Sequence, residues 1–352
     1  MGLSTTGAGQ AAVLAIDAGN SKTDVAVVAE DGTVLGAARG GGFQPPVIGV
    51  EPAIDILHEI VERALADAGL PLVGGARHTS ACLANADLPV EEAELAAAIE
   101  ARGWSASTSV YNDTFAVLRA GLLEDADPRG VAVVCGAGVN CAGMHPDGRT
   151  ARFPAIGKIS GDWGGGGGLA EEALWFAARA EDGRGEPTAL ARELPAHFGL
   201  DSMYALIEAF HRGRLAYGRR HELNPVLFST AAAGDAVASA IVERMAEEVV
   251  VMATVSLGKL GLLDEEVPVL LGGGILAARH PQLNGRIEEL LAARAPRAVA
   301  RVVKERPVLG AALLGLDHLA APVDAHRTVR AHYAQGPGAA STPLASPTAA
   351  GT

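Results

Sequence analysis

Asp17 stands at the end of an apolar run and directly ahead of Ala18-Gly19-Asn20-Ser21-Lys22-Thr23, a turn of small, hydroxyl-bearing and cationic residues. A hairpin of this composition can aim main-chain N–H groups and the Ser21, Lys22 and Thr23 side chains at phosphate oxygens, with Asp17 facing a hydrated Mg2+. It is not a Walker A loop, because Gly-x-x-x-x-Gly-Lys-Ser/Thr is absent. Read alone, it is also an ordinary hairpin turn with a surface lysine. Cys135-Gly136-Ala137-Gly138-Val139-Asn140 repeats the design after a second apolar run. Two such turns facing across a cleft would clamp a polyphosphate from both sides. Gly272-Gly273-Gly274 ends a third apolar run at a strand-to-helix junction, where a nucleotide can lie against backbone with no Cβ in the way.

Carboxylates follow the same logic. Asn112-Asp113-Thr114 puts an acid where a strand enters a helix, so Asp113 is either the helix N-cap or a general base within reach of a substrate hydroxyl. Gly161-Asp162-Trp163 leads into five consecutive glycines, Gly164 to Gly168. That run reads as a mobile binding loop before an exposed helix N-terminus, or as a plain linker. His78, His145 and His280 lack metal-ligand spacing. Cys82, Cys135 and Cys141 form no CxxC pair, which points to reduced thiols rather than a zinc cage or disulfide framework.

These residues need elements to hold them. Apolar runs and turn signals predict strands at 12–16, 24–29 and 33–38, then a helix at 49–68, a strand at 79–83, a helix at 89–101 and a strand at 108–111. The pattern restarts with strands at 131–135, 140–144 and 149–153. Helices follow at 169–181, 188–197, 201–211 and 236–262, then a strand at 267–271 and a helix at 308–319. Strands alternating with helices predict an α/β fold of two similar lobes, 12–114 and 115–320. Residues 1–11 and the Pro/Ala/Ser/Gly-rich 321–352 are expected to be disordered.

Composition narrows the class. The 352 residues carry 28 basic and 41 acidic side chains, a net charge of −13. Such a surface argues against nucleic acid as the main partner. The N-terminus has no basic and apolar leader, and the longest apolar stretch, 249–263, is interrupted by Lys259. A soluble cytoplasmic protein with no membrane partner is expected.

In order and spacing, Asp17-x-Gly19-x-x-x-Thr23, Asn112-Asp113, Gly136-x-Gly138-x-Asn140, Gly161-Asp162 and Gly272-Gly273-Gly274 resemble the sugar-kinase/actin/Hsp70 superfamily. Within it they look like the BadF/BadG/BcrA/BcrD branch, which contains N-acetylglucosamine and glucosamine kinases; the resemblance spans about residues 12–320. It implies two ribonuclease-H-like lobes with the active site in the cleft between them, and ATP and Mg2+ as cofactors. Gly19, Asn20, Ser21, Lys22 and Thr23 would match the first phosphate loop, with Asp17 near Mg2+. Gly136, Ala137 and Gly138 would match the second, and Gly272, Gly273 and Gly274 the adenosine motif. Asp113 would be the base that takes the proton from the sugar 6-hydroxyl. Gln44, Asn85, Asn112, Asn140 and Asp162 would bind the sugar. A homodimer is what the family suggests.

Three departures bear on the substrate. Gly161-Asp162-Trp163-Gly164-Gly165 stands where N-acetylglucosamine kinases of the branch usually carry Gly-Asp-Glu-Gly-Ser. Ala137 replaces a common Thr, and Gln44 a common Asn. A protonated 2-amine wants a carboxylate, whereas an acetamido group wants a neutral pocket. Asp162 beside Trp163 therefore makes glucosamine, converted to its 6-phosphate, the expected substrate, with N-acetylglucosamine the alternative. A non-catalytic sugar or nucleotide sensor, and an iron–sulfur ATPase that activates a dehydratase, are rivals of another class.

Overall fold

The computed structural model describes residues 11–334 except 124 and 126. β1 (Ala11–Ala18), β2 (Thr23–Val28) and β3 (Val34–Gly40) form an antiparallel meander. Gly32 turns the β2–β3 connection at φ +84°, a conformation that suits glycine. α1 (Pro45–Ile48) and α2 (Val50–Asp67) lead to β4 (Ala76–Leu83), and α3 (Pro89–Glu100) leads to β5 (Ser105–Asn112). Both strands run parallel to β1, giving the order β3-β2-β1-β4-β5. α4 (Thr114–Gly121) carries the chain to a second sheet.

There, β6 (Gly130–Cys135), β7 (Val139–Met144) and β8 (Thr150–Arg152) form another meander. α5 (Gly165–Glu181), α6 (Leu190–His197), α7 (Met203–His211), α8 (Asn224–Ala232) and α9 (Ala236–Leu260) follow. β9 (Pro268–Gly272) pairs parallel to β6. α10 (Gly273–Ala277) and α11 (Pro281–Arg294) precede β10 (Val299–Val302), and α12 (Pro307–His318) and α13 (Val323–Ala334) complete the described chain. The sheet order, β10-β9-β6-β7-β8, has the topology of the first sheet. The ribonuclease-H-like α/β lobe is therefore present twice, giving the expected two-lobe architecture.

Side-chain alternation assigns the faces. Leu14, Ile16 and Ala18 join one core with Ile54, Leu57 and Leu65 of α2. Val13 and Ala15 join another with Phe115 of α4 and Leu313 of α12, which also takes Ala132, Ala142 and Leu270 from the second sheet. α4 and α12 thus lie between the sheets, and Asp17, sharing the parity of Val13 and Ala15, emerges on that inner face. Among the described residues, no single helix is long and apolar enough to cross a membrane.

Three boundaries read from the sequence need correcting, the first at Ala11, expected in a disordered 1–11 but buried as the opening residue of β1. α12, placed in the 115–320 lobe, returns to the first sheet. A Cβ on Gly315 would collide with the Val13 side chain, and one on Gly310 with the Ala116 carbonyl. The expected tail of 321–352 begins with a helix instead, because Ala325 and Val329 of α13 are buried and Arg330 reaches Asp125 at 2.7 Å. The remaining expected termini, 1–10 and 335–352, lie outside the described residues.

Candidate active site

The ends of β1, β4 and β5 deliver the acids. Cys82 is opposite Asp17, and Leu83 opposite both Ala18 and Asn112. The Asp113 N–H then donates to the Leu83 carbonyl at 3.2 Å, which holds the start of α4 against this edge. Asp17 is buried. Burial pushes its carboxyl up to about 7, with the negative charges of Asp113 and Asp24 adding, while Lys22 and Arg306 pull it back. Burial also raises Asp113, to about 6, against a weaker pull from the neighbouring Thr114 N–H. Asp113 occupies the N-cap position of α4 yet makes no side-chain cap bond. Asn112 Oδ1 accepts the Thr114 N–H at 3.0 Å instead. The cap and the carboxylate are thus separate residues.

In the first turn, the Gly19 N–H donates to the Lys22 carbonyl at 2.9 Å. Asn20, Ser21 and Lys22 are exposed, and Thr23 is buried in β2. Gln44 and Asn85, expected on the sugar, brace this turn. Gln44 Nε2 donates to the Asn20 carbonyl at 2.7 Å, and Asn85 Nδ2 to Asn20 Oδ1 at 3.0 Å and the Phe43 carbonyl at 3.2 Å. Asn85 holds φ +63°, a left-handed conformation that Asn tolerates better than most residues.

The other glycines converge on the second sheet. Gly136 N–H donates to the Gly138 carbonyl at 3.0 Å, and a Cβ on either residue would meet open space. Gly273, at φ +81°, lies so close to Cys135 that a Cβ would collide with its carbonyl oxygen. The Gly272–Gly274 run and the second turn therefore adjoin. The glycine run corrects the expectation of a mobile loop: Gly165–Gly167 are the buried first turn of α5. Gly166 and Gly167 donate to the Gly136 and Ala137 carbonyls at 2.8 and 2.9 Å. A Cβ on Gly165 would approach Gly138 Cα to 2.5 Å, so this docking needs glycine.

Asn112 also joins the two sheets, because Asn140 Nδ2 of β7 donates to its Oδ1 at 3.0 Å. Asn140 Oδ1 accepts its neighbour's Cys141 N–H at 2.7 Å. Asp162 is drawn into its own loop, where its Oδ2 accepts from the Gly157 N–H at 3.0 Å and from Ser160 Oγ at 2.5 Å. A cavity of about 330 Å3 opens beside it, lined by Gly138, Val139, Gly157, Asp162, Trp163 and Glu172. Sequence reasoning missed Asp87, which accepts from Asn112 Nδ2 at 2.8 Å. Burial pushes Asp87 up to about 7, aided by Asp113, Glu91 and Asp162 and opposed by Arg152. Its one sequence signal was Asp-x-Pro-x-Glu, which reads as helix punctuation.

Among the described residues, no three His, Cys, Asp or Glu side chains are grouped to hold a metal. That fits Mg2+, which commonly takes one or two carboxylates and fills its octahedron with phosphate oxygens and water. Asp17, which the resemblance would set near Mg2+, is buried and has no ion-pair partner among the described residues. The open faces of Gly136 and Gly138 suit phosphate.

Residues 14–315 match the BadF/BadG/BcrA/BcrD ATPase family. The N-acetylmuramic acid/N-acetylglucosamine kinase of Clostridium acetobutylicum is 26% identical over 266 residues, covering 75% of this chain and 85% of the relative. The N-acetyl-D-glucosamine kinase of Dictyostelium discoideum is 27% identical over 220 residues, covering 62% and 68%. The solved structure of a provisionally named N-acetylglucosamine kinase from Chromobacterium violaceum aligns with TM-score 0.66 at 25% identity, over 87% of this chain and 99% of that one. A ROK family glucokinase from Streptomyces griseus shares the fold, with TM-score 0.52 at 17% identity over 87% and 98%.

Proposed function

The chain belongs to the BadF/BadG/BcrA/BcrD ATPase family, and on that premise we propose that it is an ATP-dependent aminosugar kinase. The observation that carries this reading is Asp113. It is a carboxylate that makes no side-chain cap bond, since Asn112 Oδ1 takes the Thr114 N–H, and it is raised toward neutrality by burial within electrostatic reach of Asp17. A base poised near the working pH suits proton removal from a hydroxyl. The sugar 6-hydroxyl loses its proton to Asp113 as its oxygen bonds to the γ-phosphorus of ATP; the bond from that phosphorus to the bridging oxygen breaks, and ADP leaves. The Gly19–Thr23 and Gly136–Gly138 turns supply main-chain donors to the polyphosphate, and Gly272–Gly274 a close backbone approach for the nucleoside. Mg2+, held by Asp17 and phosphate oxygens, would neutralise charge on the β- and γ-phosphates.

N-acetylglucosamine is the first substrate in this reading, because relatives of this chain are named for it. The case for glucosamine rests on Asp162, and two donors within its own loop already share one of that carboxylate's oxygens. The dehydratase-activator reading is weaker. Cys82, Cys135 and Cys141 are all buried, and burial pushes the Cys135 and Cys141 thiols up to about 12, away from the thiolate a cluster needs. The test is a coupled ADP-release assay with Mg-ATP and N-acetylglucosamine, glucosamine or glucose. Turnover led by an aminosugar supports the proposal. Turnover led by glucose, or nucleotide binding without turnover on any sugar, sinks it, and the latter moves the sensor reading forward.

A further inference from the structure

Asp87 lies just before α3, and its backbone is pinned. The main-chain N–H groups of Asp87 and Leu88 both donate to Glu91 Oε2, at 3.0 and 2.9 Å. Its side chain then meets Asn112, an amide that could in principle sit either way round. An ionised carboxylate only accepts hydrogen bonds, a protonated one still offers an acceptor oxygen, and a backbone N–H only donates. With Asp87 on one side and the Thr114 N–H on the other, one orientation satisfies both: Nδ2 toward Asp87 at 2.8 Å and Oδ1 toward Thr114 at 3.0 Å. The same orientation presents Oδ1 to Asn140 Nδ2 of the second sheet, at 3.0 Å.

We infer that Asp87 is a positioning residue: by fixing the Asn112 amide it assigns the cap of α4 to Asn112 and leaves the Asp113 carboxylate free for the substrate hydroxyl. The inference rests on the reading of Asp113 as the base. Without Asp87, Asn112 can turn its NH2 toward the Thr114 N–H, setting donor against donor. The first free N–H of α4 then turns to the acceptor at the N-cap position, Asp113. A carboxylate tied to a helix N-terminus is a weaker base and is held away from its substrate. The turned amide also loses its bond to Asn140, so the contact between the two sheets weakens with it.

The test is a residue swap. Asp87→Asn keeps the shape but removes the obligate acceptor, and Asn112→Asp sets two carboxylates against each other. Each should lower kcat by about tenfold or more while leaving KM for ATP near wild type, the pattern of a loss felt only in the transition state. The double variant Asp87→Asn/Asn112→Asp restores the pattern with roles exchanged. The carboxylate now at position 112 would accept from the amide now at position 87, and from Thr114 and Asn140 as before. It should recover most of the lost kcat. In parallel, with 15N-asparagine labelling, the Asn112 side-chain NH2 should exchange slowly in the wild type and rapidly in Asp87→Asn. Wild-type kcat in Asp87→Asn, a double variant no better than the singles, or a fast-exchanging Asn112 amide in the wild type would each overturn the inference. The amide measurement needs no turnover, so it stands apart from any failure of the kinase reading.

Discussion

At the far end of α4 from Asp113, acids and bases are matched. Arg119, fully buried, binds Asp317 at 2.7 Å and Asp125 at 2.9 Å. Arg330 of α13 also holds Asp125, at 2.7 Å, and His326 Nε2 lies 2.8 Å from Asp317 Oδ1. Burial works against both carboxylates, yet hydrogen bonds from Arg330, Arg119 and His326 outweigh it and hold the two below the usual range. At the near end, Asp17, Asp87 and Asp113 have no ion-pair partners among the described residues, and burial carries them up to about 7, 7 and 6. One residue type in similarly buried settings is pushed in opposite directions. The paired group ties α4, α12 and α13 together. The unpaired group is kept at a cost in stability, which is the mark of a site waiting for a ligand.

Breaking either side should sharpen that contrast. Asp17→Asn should lower kcat more than about a hundredfold, corresponding to roughly 2.7 kcal/mol of transition-state stabilisation. It should also raise the melting temperature of the nucleotide-free protein; a lower one would place Asp17 with the structural group. Asp317→Ala leaves the buried Arg119 without its closest partner and should cost about 3 kcal/mol in a denaturant titration, with little change in KM for ATP. A loss under about 1 kcal/mol would mean that the paired group is not a fastener. The smallest effect is in pH. Unfolded aspartates titrate at about 3.9, whereas burial pushes Asp17 up to about 7 in the folded chain. The folded chain therefore keeps a proton that the unfolded chain has lost, and this group's contribution to stability falls as pH rises from about 4 through 7. The melting-temperature gain of Asp17→Asn should be larger at pH 8 than at pH 6; an equal gain at both would contradict the raised value.

What the sequence revealed, and what it hid, follows the range of the interactions. The turns at Gly19–Thr23 and Gly136–Gly138 were legible because each is written in adjacent residues. The strands were legible as apolar runs. The Gly164–Gly168 run misled because glycine is a poor helix former, and its first turn is made helical by docking on Gly136 and Ala137, which lie far away in the chain. α13 was hidden for a similar reason, since Arg330 meets Asp125 across 205 positions. Gln44 and Asn85 entered only through the family resemblance, as sugar ligands, and their contacts with Asn20, 24 and 65 residues away in the chain, could not be read from sequence. Asp87 was invisible without Asn112, 25 residues away.

The most direct measurement of the central claim is kcat of Asp113→Asn at saturating Mg-ATP and N-acetylglucosamine, set beside its affinity for ATP. A base at this position should be worth about 10^2–10^4 in rate, so kcat should collapse by that factor with ATP binding nearly intact. An Asp113→Asn variant that turns over at close to the wild-type rate would contradict the account.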